Sequence, residues 1–145
     1  MKQVALAVPA AFLVLALLSG CKEPPQAVNW VHDYRFGLEM ARESGKPVFL
    51  VFGTDWCGIC RDMKAKVYSL ESVGRATERT INIYVDANAR PDLVRQYGIR
   101  GVPALFFLTP DGETISRYGG PLTPNAIIKA ISMVAQKYGQ APALN

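Results

Sequence analysis

The sequence predicts a single α/β domain in which a mixed β-sheet carries helices on both faces. The chain has 145 residues, which is enough for one domain. Strand-like and helix-like stretches alternate along most of it, and the order ends with two consecutive strands and a helix. Strand–helix–strand units favour parallel pairing and a terminal hairpin favours antiparallel pairing, so a mixed sheet is expected.

Four stretches are predicted to be the main strands of this sheet. Residues 48–52 are a continuous apolar run, as expected for a strand that is covered on both faces. The other three are residues 80–85, 104–108 and 114–118, and residues 28–31 are predicted to add a short edge strand. Pro110 and Gly112 indicate a turn between the last two strands, since proline presets φ and glycine permits a positive φ.

Four further stretches are predicted to be helices. Residues 33–44 carry apolar side chains at helical spacing and end at Gly45. Residues 57–75 consist mostly of helix-forming residues and are expected to form one helix that stops at Gly74. Residues 91–97 are expected to form a short helix, and residues 123–138 a closing amphipathic helix.

The first 20 residues are predicted to be a secretory signal, because Lys2 is followed by an uncharged apolar run over residues 4–18. An uncleaved membrane anchor is the alternative. Leu18-Ser19-Gly20-Cys21 resembles the lipobox of bacterial lipoproteins, which implies cleavage before Cys21 and lipid attachment to its thiol. The predicted organisation is therefore a signal peptide (1–20), a lipidated N-terminus and spacer (21–28), one domain (29–140) and a tail (141–145).

This resemblance implies a protein that is lipid-anchored in the bacterial cell envelope and faces the periplasm. In enterobacteria an Asp after the lipidated cysteine retains lipoproteins at the inner membrane, so Lys22 slightly favours the outer membrane. The 16 basic and 12 acidic side chains are scattered along the chain, which does not indicate nucleic-acid binding. We expect a monomer.

Cys57 and Cys60 form a C-x-x-C pair between a predicted buried strand and a predicted helix. A bridge across such a short loop contributes little chain-entropy stabilisation, which favours a reactive pair, although a purely structural bridge is the alternative. A helix N-terminus stabilises a thiolate, so Cys57 is the predicted nucleophile and Cys60, one turn on, the resolving thiol. Gly58 leaves the approach to Cys57 open.

Metal and haem sites are weaker interpretations of the same pair. Structural zinc needs about four ligands, and His32 is the only histidine of the chain. Haem attachment requires a histidine directly after the second cysteine, where this chain has Arg61. We therefore expect no metal and no cofactor other than the Cys57–Cys60 disulfide itself.

Two motifs resemble the thioredoxin superfamily. Asp55-Trp56-Cys57-Gly58-Ile59-Cys60 resembles its Trp-Cys-Gly-x-Cys active site, and Tyr97-Gly98-Ile99-Arg100-Gly101-Val102-Pro103 is similar to the segment with its cis-proline. The residues before the pair look closer to the C-terminal domain of the membrane reductant conductor DsbD than to cytosolic thioredoxin. The resemblance implies a thioredoxin-like fold, a thiol–disulfide oxidoreductase, and substrate contacts by Trp56, Gly58, Ile59, Val102 and Pro103.

The chain departs from that family at one position. Thioredoxins carry a buried Asp six residues before the first cysteine, with a Lys partner on the next strand. This sequence has Val51 at the first position and Asn82 near the second. Asp55 is the remaining candidate for a proton relay, acting through water.

The expected function is a membrane-tethered periplasmic reductase of protein disulfides. Its partners would be disulfide-bearing envelope proteins, a DsbD-type membrane electron donor, and the membrane itself through the lipid at Cys21. A disulfide-donating oxidase and a non-catalytic tethered binding module are the two alternatives.

Overall fold

The strand β1 (Val48–Gly53) lies inside the sheet and is buried along its whole length. The computed structural model describes residues 26–138, so the predicted signal, Cys21 and the tail lie outside the described residues. The other strands are β2 (Ile81–Asp86), β3 (Ala104–Leu108) and β4 (Thr114–Gly119). The helices are α1 (Tyr34–Ser44), α2 (Gly58–Lys66), α3 (Glu71–Thr77), α4 (Pro91–Gln96) and α5 (Pro124–Tyr138).

The sheet is mixed, as predicted, with the strand order β2-β1-β3-β4. β1 pairs in parallel with β2 and antiparallel with β3, and β4 completes the antiparallel hairpin. The predicted edge strand at residues 28–31 is wrong in extent, because only Val31 forms a bridge, to Ile83 of β2. The Val31 N–H donates to the Asn82 carbonyl at 2.8 Å, and the Val31 carbonyl accepts from Tyr84 N–H at 3.0 Å.

Helices cover both faces of the sheet, which confirms the predicted architecture. Phe49 and Val51 point into one core, where they meet apolar side chains of α2, α3 and α5. Val48, Leu50 and Phe52 point into the other core, which α1 and α4 cover. Because alternate residues of a strand point to opposite faces, a strand between two cores must be apolar throughout.

The helix predicted over residues 57–75 is wrong, because α2 and α3 are separate helices. Tyr68 lies between them, is 1% exposed, and packs edge-on against Trp30 with ring centroids 5.1 Å apart. Its carbonyl accepts hydrogen bonds from Ala27 N–H at 2.9 Å and Val28 N–H at 3.3 Å. The helix is interrupted at Tyr68 because its ring is buried and its carbonyl binds the N-terminal segment at Ala27 and Val28.

Gly74 does not end a helix but lies within α3. A β-carbon at this position would lie 2.7 Å from the Ala27 carbonyl oxygen, so the glycine allows the N-terminal segment to pass close to the helix. Within the described range of residues 26–138, no helix has the length and apolar character needed to span a membrane.

Candidate active site

Cys57 and Cys60 form a disulfide where β1 leads into α2, with their Cα atoms 5.2 Å apart. Cys57 is the N-cap residue of α2 and has an extended backbone. Its Sγ accepts a hydrogen bond from the backbone N–H of Cys60 at 3.1 Å. This N–H group and the positive end of the helix dipole both stabilise negative charge at the Cys57 sulfur, so Cys57 is the better placed thiolate.

The disulfide is shielded, but the residues around it are open to a partner. Cys57 and Cys60 are 7% and 3% exposed, whereas Trp56 and Ile59 are 69% and 50% exposed. Gly58, which lies between Cys57 and Ile59, is also exposed. Large exposed apolar side chains next to a reactive bond form a suitable contact surface for another protein.

Val102 lies next to the disulfide, and Pro103 directly follows it in the chain. The Val102–Pro103 peptide bond is cis, and the Val102 carbonyl oxygen lies 3.7 Å from Cys57 Sγ. A groove of about 270 Å³ runs past these two residues and is also lined by Arg100 and Arg117. The backbone of Val102 therefore sits where an extended chain bearing a sulfur could reach Cys57.

Asp55 lies at the surface, two residues before Cys57. Its carboxylate is 95% exposed and lies 3.6 Å from Lys64 Nζ, while its carbonyl accepts from Arg61 Nη1 at 2.8 Å. These contacts link Asp55, in the loop before Cys57, to two residues of α2. The proton relay assigned to Asp55 from the sequence stays a prediction.

Val51, at the first of the two positions where the sequence departs from thioredoxin, and Asn82, near the second, are both buried. Val51 is 1% exposed and packs in the apolar core. Asn82 is also buried; its side-chain oxygen accepts from the Thr80 hydroxyl at 2.6 Å, and its amide donates to the Thr77 carbonyl at 3.1 Å. These hydrogen bonds give Asn82 a structural role.

Tyr84 is a neighbour of the cysteine pair that the sequence reasoning missed. It pairs with Val51 in the parallel register and is 7% exposed. A β-carbon on Gly53 would overlap the Tyr84 hydroxyl, and would lie 3.5 Å from Cys60 Sγ. The sequence feature that could have indicated this contact is Gly53. A glycine at the end of a run of large apolar residues often marks a place where another group approaches the backbone closely.

No group of three or more His, Cys, Asp or Glu side chains within residues 26–138 is placed to hold a metal ion. The described site thus consists of the disulfide, the cis-proline segment and the exposed residues around them. A thioredoxin-like oxidoreductase domain is the class that this fold and this site define.

The chain matches the family described as "Thioredoxin-like domain" over residues 37–135. It is 32% identical to a thioredoxin of Mycobacterium tuberculosis over 104 residues, which cover 72% of this chain and 86% of that protein. It is 29% identical to a wheat protein disulfide-isomerase over 113 residues, 78% of this chain and 20% of that protein. The chain thus spans about a fifth of the length of the wheat protein.

Solved structures agree with these matches. A thioredoxin from Thermus thermophilus superposes with a TM-score of 0.68 at 26% identity, covering 78% of this chain and 91% of that one. The C-terminal domain of Neisseria meningitidis DsbD in its oxidised form gives a TM-score of 0.62 at 25% identity, covering 73% and 99%. This chain belongs to the thioredoxin-like family.

Replacing Trp56 by Ala is expected to weaken partner binding without weakening the fold. We expect KM for a protein disulfide such as insulin to rise about tenfold, because large aromatic side chains dominate contact surfaces. Turnover of a small disulfide should stay within about twofold, and the free energy of unfolding should change by less than about 0.5 kcal/mol. Steady-state kinetics and thermal unfolding measure both.

The matched control is Met133→Ala, since Met133 is 63% exposed on α5. This variant should leave both reactions unchanged. An equal loss with the protein and the small disulfide in Trp56→Ala would contradict a binding role for Trp56.

Proposed function

We propose that this protein reduces disulfides of envelope proteins with its Cys57–Cys60 dithiol while a lipid on Cys21 tethers it to a membrane. The observation that carries the proposal is the position of Cys57. Its sulfur accepts the Cys60 N–H at the start of α2 and lies next to the Val102 carbonyl. Nucleophile and docking backbone are thus on the same side of the domain.

The reaction consists of two exchanges. The Cys57 thiolate attacks one sulfur of the substrate disulfide, so a Cys57–substrate bond forms and the other substrate sulfur leaves as a thiolate that takes up a proton. The Cys60 thiol then loses its proton and attacks Cys57 Sγ. The Cys57–Cys60 disulfide forms, the second substrate thiolate leaves and is protonated, and two electrons have passed to the substrate.

Substrate docking would use main-chain groups beside the disulfide. An extended substrate segment can pair with the backbone at Val102, which provides binding that tolerates many sequences. Trp56 and Ile59, which are exposed close to Cys57 in the chain, would supply apolar contact. Such a surface suits a reductase that acts on several envelope proteins.

The tether would keep this surface close to a membrane. Gln26, the first described residue, already donates from Nε2 to the Lys64 carbonyl at 3.1 Å, so the domain begins soon after Cys21. An extended chain covers about 3.5 Å per residue, so the intervening residues span less than about 20 Å. Such a short spacer would hold the domain near a membrane electron donor of the DsbD type.

Cys60→Ser is expected to accumulate mixed disulfides between Cys57 and its substrates in cells. The first exchange proceeds in this variant, but the thiol that resolves the intermediate is missing. Non-reducing gels should show adducts that disappear on reduction, and the adducts identify the substrates. Cys57→Ser and the double variant are the controls and should show none. A Cys60→Ser variant without adducts would favour the non-catalytic binding module.

The reduction potential of the pair decides the direction of electron flow. We expect a value nearer the thioredoxin range of about −270 mV than the oxidant range of about −120 mV. Equilibration with dithiothreitol redox buffers followed by thiol alkylation measures it, and Cys60→Ser should show no two-electron transition. A potential above about −160 mV would overturn the reductase proposal in favour of a disulfide-donating oxidase.

Cys21→Ser is expected to release the protein from the membrane, since one lipidated residue supplies the proposed anchor. Cell fractionation should find the unsubstituted protein with the outer membrane and the variant in the soluble periplasmic fraction. Retention of the variant in the membrane would instead indicate an uncleaved N-terminal anchor. Recovery of the unsubstituted protein with the inner membrane would contradict the outer-membrane assignment alone.

A further inference from the structure

We propose that the hydroxyl of Tyr84 donates a hydrogen bond to the Cys60 thiolate and thereby speeds the resolving exchange. This inference rests on the exchange reaction proposed above, but not on its direction. It assigns a function to a buried tyrosine that lies outside both motifs of the active site.

Cys60 needs a stabilising group because its surroundings disfavour a charge. The residue is 3% exposed, and burial destabilises a thiolate relative to a thiol. The N-terminus of α2 serves the other sulfur, since the Cys60 N–H donates to Cys57 Sγ. Cys60 Sγ faces the end of β1 at Gly53, so a donor for its thiolate can lie on the sheet side.

Tyr84 provides a donor on that side. Gly53 leaves open a space at the end of β1, and the Tyr84 phenol fills it. A β-carbon built on Gly53 would lie 2.8 Å from Tyr84 Cζ and 3.5 Å from Cys60 Sγ, and would overlap the hydroxyl. The Tyr84 hydroxyl and Cys60 Sγ are thus both close to the position that a Gly53 β-carbon would occupy.

The chemistry of a phenol fits this role. With an ordinary pKa of about 10, a tyrosine hydroxyl carries its proton at neutral pH and can donate it in a hydrogen bond to a thiolate. Hydrogen bonds to a charged group are stronger than those between neutral groups. A neutral donor next to Cys60 also adds no negative charge that would repel the thiolate.

The groups that face the ring favour negative charge near it. Lys64 Nζ lies 4.8 Å from the ring centroid, and its ammonium pairs with the exposed Asp55. The His32 ring lies 6.2 Å away at the surface. Tyr68 completes the set, and burial, reinforced by Tyr84, raises its pKa far above the ordinary value, so it adds no charge.

The test separates the two exchanges by using one equivalent of the aromatic disulfide dithiobis(nitrobenzoate) on the reduced full chain. Cys57 attacks first and releases one coloured thionitrobenzoate; Cys60 then attacks Cys57 Sγ and releases the second. All chains carry Cys21→Ser, so that only the pair reacts. Stopped-flow absorbance follows both releases over a range of pH.

In Tyr84→Phe we expect the first release to stay within about twofold and the second to slow about tenfold at neutral pH. The pH at which the second release reaches half its maximum rate should rise by about one unit, because the thiolate has lost a hydrogen bond. Tyr68→Phe is the matched control. It removes another buried hydroxyl of the same aromatic cluster, one that contacts Met63 Sδ at 3.8 Å, and should change neither release.

Three outcomes would overturn the assignment of Tyr84. They are an unchanged second release in Tyr84→Phe, an equal slowing of both releases, or the same slowing in Tyr68→Phe. Failure of the unsubstituted chain to give a first release would instead refute the exchange reaction itself. A Lys64→Met variant should slow the second release alone, by less than Tyr84→Phe, since it removes a charge near the ring but leaves the donor.

Discussion

The active site depends on the hydrogen bond from the Cys60 backbone N–H to Cys57 Sγ. This contact exists because α2 begins at Gly58, shortly after β1 ends at Gly53, so that Cys57 becomes the N-cap. The first N–H groups of a helix lack partners within the helix, and here a sulfur accepts one of them. The two cysteines are chemically different for this reason, although the sequence motif presents them as a matched pair.

The buried position of β1 makes this junction rigid. Its side chains enter two cores that are covered by different helices, and β2 and β3 hydrogen-bond to its two edges. Close packing on both faces leaves little room for the end of β1 to shift. The sheet therefore holds in place both the end of β1, which precedes Cys57, and the start of β3, which follows Val102 and Pro103.

Much of this arrangement could be predicted from the sequence, because it depends on local patterns. The apolar run of β1, the glycine stop at Gly45 (φ 66°) and the C-x-x-C spacing each carry a local physical reason. The break between α2 and α3 could not be predicted in this way. It results from burial of Tyr68 against Trp30 and from hydrogen bonds to Ala27 and Val28, which are contacts between residues far apart in the sequence.

The role of Tyr84 could not be predicted either, because it also depends on contacts between residues far apart in the sequence. Its place beside Cys60 follows from the parallel register that sets it opposite Val51, and from the space above Gly53. A strand pattern states which face a residue points to, but not which residue of the neighbouring strand lies beside it. Side chains that act across paired strands become visible only when the register is known.

A phenol and a carboxylate beside a resolving thiol would act in opposite ways. A carboxylate can accept the thiol proton and becomes neutral when it does so, but while it is ionised its negative charge disfavours a thiolate beside it. A neutral phenol accepts no proton at neutral pH and stabilises the thiolate by donating to it. With Val51 in the core and Tyr84 at Cys60, the proposed mechanism makes the proton of Cys60 leave for solvent or for the departing substrate thiolate. The rate of the second exchange would then depend on the stability of the Cys60 thiolate. Tyr84 sets that stability from the sheet, because Gly53 leaves room for its hydroxyl beside Cys60.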